Sequence, residues 1–300
     1  MPTSISDRLI FILKVRTPAG QRYARLLIDS LRSFGGEMSS CPVWLFAVDP
    51  GKAPCDELKA PGVQVIPLEL PQSIADYILG DKVYVCAHAE RLAPAGVQSL
   101  VWMDLSCLVV QPPRLFDLGE AFDAALRPVH IRNVGLTLAE PLDDFWRTIY
   151  QVVGVQDILT AVESFVDDQV LRAYFNTHAF SVNPSRGLLC GWLEYFERLV
   201  GDSSFQKSAC RDERHQVFLH QAVLSALLAA RLPPERLRIL PPTYNYPYNL
   251  QGSIPPEKRV SLLNDLTCLT YEDRSIHPDA MTDIQVLEPL RTWLTAFPHP

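Results

Sequence analysis

Residues 101–110 read VWMDLSCLVV. An apolar stretch of strand length, Ser99 to Met103, ends on an acid, Asp104, and a second apolar run, Cys107 to Val110, begins two residues later. A strand, tight turn and second strand deliver the acid to the carboxyl edge of a sheet, where open α/β folds bind their ligands. An acid in that position must be solvated, capped by backbone N–H groups of the turn, or engaged by a ligand, because burying it unpaired is costly. Capping and ligand binding both remain open for Asp104. Ser106, two positions on, offers a hard cation a neutral oxygen, a weaker ligand than a carboxylate.

Working outward, RLIFILKV (Arg8 to Val15), VWLFAV (Val43 to Val48) and Val63 to Leu68 are continuous apolar runs, the pattern of strands covered on both faces. Between the first two, Tyr23, Leu26, Leu27, Leu31 and Phe34 recur at helical spacing over Gly20 to Phe34, and Gly35-Gly36 stops the helix. Alternation of strand and helix predicts a parallel α/β sheet with Arg8–Val15, Val43–Val48 and Ser99–Met103 as parallel neighbours. Further helices are expected over Ala75 to Leu92, Asp143 to Val153, Leu188 to Val200, Arg211 to Arg231 and near Asp283 to Phe297. Strands are expected over Phe122 to Val129 and Phe175 to Val182, where Asn176 and His178, two apart, would share a face. Prolines punctuate these elements without forming a linker, and no repeat is visible. The expectation is one α/β domain over residues 1–300, Rossmann-like, with a mixed, mostly parallel sheet flanked by helices.

Composition narrows the class. A hydrophobic fraction of 48% with 20% charged residues suits a soluble globular chain, and no uncharged apolar run is long enough to span a bilayer. A net charge of -7 lacks the electrostatic footprint of a general nucleic-acid binder. The opening MPTSISDRLIF lacks the basic-then-apolar form of a secretory signal. Seven scattered cysteines without a CxxC pair read as reduced thiols, so a cytoplasmic location is expected. His215 and His220, five apart on a helix, do not share a ligand face. There is no Walker loop, no G-x-S-x-G and no G-x-G-x-x-G after the first strand.

In order along the chain stand SLRSFGG (Ser30 to Gly36), DKVYVCAHAE (Asp81 to Glu90), VWMDLSCLVV, YFNTHAFSVNPS (Tyr174 to Ser185), FLHQAVLSALL (Phe218 to Leu228) and LPPTYNYP (Leu240 to Pro247). This series resembles the successive motifs of the GT-A nucleotide-diphospho-sugar glycosyltransferases, most nearly the glycogenin and bacterial galactosyltransferase type. Each motif alone is unspecific; their shared order carries the resemblance over nearly the whole chain. Four departures stand out. Ser106 takes the place of the second acid of Asp-x-Asp, His178 that of the Gly in Phe-Asn-x-Gly, and His220 that of the Asp before Gln221. The C-terminal His-x-x-Gly-x-x-Lys-Pro-Trp is absent, and YEDRSIHP (Tyr271 to Pro278) offers His277 as its imidazole.

The resemblance implies transfer of a hexose, with retention, from a nucleoside diphosphate sugar, UDP-sugar foremost, to an acceptor hydroxyl. Asp104 and Gln221 are then the candidate catalytic residues. Arg16, Thr17, Lys82, Asn176 and His178 would bind the donor, and Asp104, Ser106 and His277 would hold Mn2+ or Mg2+. Without a metal, Lys82 and Arg16 would carry the charge of the departing diphosphate, one as a point charge and the other as a fork. Asp104, Lys82, Asn176 and Gln221 are accordingly expected to converge on one cleft. A non-catalytic module of the same fold, binding a nucleotide, a glycan or a protein, is the rival from another class. A nucleotidyltransferase is disfavoured because a glycine-rich basic segment after the first strand is missing.

Overall fold

The computed structural model of the chain describes residues 4–297 apart from 52, 54 and 159. In chain order the strands are β1 (Leu9–Val15), β2 (Val43–Val48), β3 (Val63–Leu68), β4 (Ser99–Met103), β5 (Cys107–Val109) and β6 (Ala124–Leu126). They continue as β7 (Ala161–Glu163), β8 (Val170–Arg172), β9 (Ala179–Val182), β10 (Leu237–Ile239), β11 (Tyr246–Pro247) and β12 (Cys268–Thr270). The helices are α1 (Ile5–Arg8), α2 (Pro18–Phe34), α3 (Gln72–Ala75), α4 (Gly80–Leu92) and α5 (Asp144–Val153). After them come α6 (Leu188–Gly201), α7 (Ser203–Lys207), α8 (Glu213–Arg231) and α9 (Leu290–Ala296).

Seven strands form the central sheet in the order β10-β6-β9-β4-β1-β2-β3. β4, β1, β2 and β3 run parallel, as do β10 and β6; β9 alone is antiparallel to both its neighbours. The sheet is therefore α/β, mixed and mostly parallel, and the three expected neighbours are adjacent. Their unbroken apolar sequence follows from burial on both faces. In β1, Ile10 and Ile12 enter the core under α4, α5, α6 and α8, while Leu9, Phe11, Leu13 and Val15 enter the one under α2. A smaller sheet, β11-β12-β5, rests on a third apolar cluster with Leu26 of α2 and Leu294 of α9. Among the described residues no helix is long and apolar enough to cross a membrane. All seven cysteines are unpaired thiols.

Three expected elements are shorter than their sequence pattern. The helix over Ala75 to Leu92 is two helices, α3 and α4, separated at Asp76–Leu79, with Leu79 left-handed at φ 59°. A Cβ on Gly80 would lie 2.6 Å from the Ile74 carbonyl oxygen, so the close return of the chain requires glycine there. Only Ala124–Leu126 of the Phe122 to Val129 stretch is regular strand. In Phe175 to Val182 the strand is Ala179–Val182. Ala125 opposes Ser181 but Pro128 opposes Phe175, so the chain bulges outward at Asn176–His178.

Candidate functional site

β1, β2, β4 and β6 point their carboxyl ends to one edge of the sheet, and the bulge leading into β9 lies on the same edge. Arg16, Asp49, Asp104 and Arg127 are the first residues beyond those four strands.

Asp104 is held by its backbone from both sides: its N–H donates to the His178 carbonyl at 2.8 Å and its carbonyl accepts from Cys107 N at 2.9 Å. The carboxylate is not capped by the turn. Lys82 Nζ donates to Oδ2 at 2.6 Å, and Trp102 Nε1 donates to Oδ1 at 3.2 Å. Lys82 is buried, with Nζ 3.4 Å from the Thr177 carbonyl and 5.6 Å from the centroid of the Trp102 ring. A buried ammonium is tolerable because a carboxylate, a carbonyl and an aromatic face all meet it.

A second charged group adjoins the first. Asp81 Oδ1 accepts from Lys82 N at 2.8 Å, while its Oδ2 accepts from Lys14 Nζ at 2.5 Å and lies 3.9 Å from Arg16 Nη1. Arg16 also pairs with Asp49 at 3.1 Å and donates to the Ala75 carbonyl at 3.0 Å. Lys14, Arg16 and Lys82 thus each have a carboxylate partner.

The bulge supplies the polar side of the cleft. Asn176 Oδ1 accepts from His178 N at 2.8 Å, from Asn245 Nδ2 at 2.7 Å, and faces His178 Nδ1 at 2.9 Å. His178 Nε2 is 2.9 Å from Glu272 Oε1, and Asn249 Nδ2 donates to Oε2 at 2.6 Å. The hydrogen bond from His178 holds the Glu272 carboxyl below its ordinary range, with lesser help from the charges of His178 and Lys82 and against the opposing effect of burial. Thr177 Oγ1 meets His220 Nε2 at 2.9 Å, and His220 Nδ1 donates to the Val217 carbonyl at 2.8 Å. Burial pushes His220 well below the usual imidazole range, so the ring is neutral and its Nε2 accepts the Thr177 hydroxyl. Beside Glu272 opens a cleft of about 260 Å3 lined by Tyr23, Tyr271, Arg274 and Ile276.

Asp104, Lys82, Asn176 and His178 therefore come together, through the bulge and not through strand alternation. Arg16 stands in the adjoining charged group. Thr17 is the N-cap of α2, its hydroxyl accepting from Gly20 N at 3.2 Å. Gln221 is only 4% exposed and lies beside the Tyr174 hydroxyl; His220, one position earlier, is the α8 residue that touches the cluster. Ser106 is half-buried, and its carbonyl accepts from Tyr271 N at 2.9 Å. His277 caps the turn Pro278–Ala280, Nδ1 accepting from Asp279 N at 3.3 Å.

Mn2+ or Mg2+ prefers several charged oxygens. Around Asp104 the donor set is one carboxylate already neutralised by Lys82 and one hydroxyl. No group of three or more His, Cys, Asp or Glu side chains suited to a metal occurs among the described residues. This donor set does not fit a divalent cation, and Lys82 Nζ already engages the Asp104 carboxylate. Lys14, Asp81, Asn245 and Glu272 are site residues that the sequence did not single out. Lys14 leaves a trace as the one charge inside LIFILKV, and Glu272 and Asn245 lie in motifs flagged for other residues.

No known protein-family model matches the chain, and no curated protein matches it.

Proposed function

We propose that the chain is a GT-A-type hexosyltransferase in which the Lys82 ammonium takes the part of the divalent metal. One observation carries this: at the carboxyl edge of a mostly parallel sheet, Lys82 Nζ sits 2.6 Å from the only acid of the Asp104-Leu105-Ser106 turn. The donor is a nucleoside diphosphate sugar, UDP-sugar first, and the acceptor a hydroxyl. In the reaction the bond from the sugar C1 to the diphosphate oxygen breaks, and its electron pair leaves with the diphosphate. The acceptor oxygen bonds to C1, and its proton ends on the released diphosphate. Asp104, the more exposed partner of the pair, accepts hydrogen bonds from sugar hydroxyls. Lys82, fixed beneath it, stabilises the developing negative charge without reorganising. The free thiols support a cytoplasmic site of action.

One observation favours a second reading. Because Lys14, Arg16 and Lys82 are all paired, the edge carries little surplus positive charge and also suits a non-catalytic module binding a neutral glycan. Incubation with UDP-glucose or UDP-galactose, in EDTA and in Mn2+, separates the two. The transferase releases UDP at equal rates in both media, and Asp104→Asn abolishes the release. Strict dependence on Mn2+ contradicts the role given to Lys82. Absence of UDP release together with oligosaccharide binding makes the module the better account.

A further inference from the structure

One strand over from Asn176, Arg127 is 3% exposed, and no carboxylate pairs with it among the described residues. Its Nη1 donates to the carbonyls of Pro242 at 3.2 Å and Tyr244 at 3.1 Å. Nε is buried and has no hydrogen-bond partner among the described residues. The guanidinium lies 4.6 Å from the centroid of the Phe165 ring. It lines a cavity of about 520 Å3 whose other walls include Pro128, Val162, Ile239 and Leu240, a size that suits a small organic ligand. Glu163, the acid on that wall, is largely exposed and 3.8 Å from Lys258 Nζ, which itself pairs with Asp168. A buried cation without a counter-ion is unfavourable, and burial draws its pKa down to about 10.

We propose that this cavity binds a small organic carboxylate, with the anion against the Arg127 guanidinium and the hydrocarbon part against Phe165, Val162 and Ile239. A guanidinium without a carboxylate partner matches an anionic oxygen, and the apolar walls match a hydrophobic body. None of these residues belongs to the Lys82–Asp104 pair, so the site stands apart from the transferase reading.

Calorimetric titration with 4-phenylbutyrate, its neutral amide and inorganic phosphate tests the assignment. The acid binds, and the amide binds about tenfold more weakly or worse, the loss expected when a charge-assisted hydrogen bond is removed. Arg127→Gln lowers affinity for the acid to that for the amide. Since Arg127 also ties two carbonyls, Ile239→Trp supplies an independent check: Ile239 is 50% exposed, and a larger side chain there fills the cavity while leaving the core alone. That variant loses the acid. Equal binding of acid and amide, no binding of the acid to the folded protein, or undiminished binding by Ile239→Trp overturns the proposal. Phosphate that displaces the acid and binds more tightly than it overturns the carboxylate assignment.

Discussion

His130 and His220 are both buried imidazoles, but only His220 has partners; neither ring nitrogen of His130 has one among the described residues. Burial, with the nearby charges of Arg127 and His178, pushes His130 well below the ordinary value of 6.5. A histidine depressed in the folded state adds stability at neutral pH that is lost as pH falls below its unfolded value. In that window the unfolded chain takes up a proton that the folded chain refuses. Each such histidine costs about 1.4 kcal/mol per pH unit below roughly pH 6.5. His130→Phe removes one such slope and an unsatisfied buried group, so urea unfolding should show a gain of about 1 kcal/mol at pH 7 and a larger gain at pH 5.5. A loss of stability at both pH values contradicts this. At this scale the sequence was informative where chemistry broke a pattern: Asp104 stands out because it ends an apolar strand. It was silent on His220 against Gln221, because neighbours on a helix point about 100° apart and only packing selects the face.

Lys82 sits on the first turn of α4, and the start of that helix depends on the turn before it. Ala75 to Leu92 carries enough helix-compatible residues to read as one element. The break at Asp76–Leu79 arises from the close approach of Gly80 to the Ile74 backbone, a contact that periodicity does not encode. Gly80→Ala forces the carbonyl of Ile74 to move and should cost about 1–3 kcal/mol in urea unfolding, the usual penalty of overpacking. Gly201→Ala is the control: nothing lies within 4 Å of an added Cβ, and Gly201 is the last residue of α6. It should be neutral or slightly stabilising. Equal effects of the two substitutions contradict the steric account of the break. The bulge at Asn176–His178 was hidden for a related reason. Its existence depends on how β9 pairs with β6, which lies fifty residues away in the chain, and alternation within one segment carries no trace of it.

Across the molecule, the parallel half of the sheet was legible because double burial writes itself as unbroken apolar runs, as in VWLFAV. The closing of the site was not. β12 and the residues after it bring Glu272 to His178, and the turn before β11 brings Asn245 to Asn176, both by long-range packing of short elements. The outcome is an edge where ammonium, guanidinium and carboxylate groups neutralise one another, and Lys82 bound to Asp104 is its centre. Calorimetric titration of UDP in EDTA and in Mn2+ tests this most directly, using the native chain and the Lys82→Met, Asp104→Leu double variant. Removing both partners avoids leaving one buried charge unpaired. The account predicts the same UDP affinity for the native chain in both media, and loss of about tenfold or more in the double variant. UDP binding by the native chain that appears only with Mn2+, or that survives in the double variant, would contradict it.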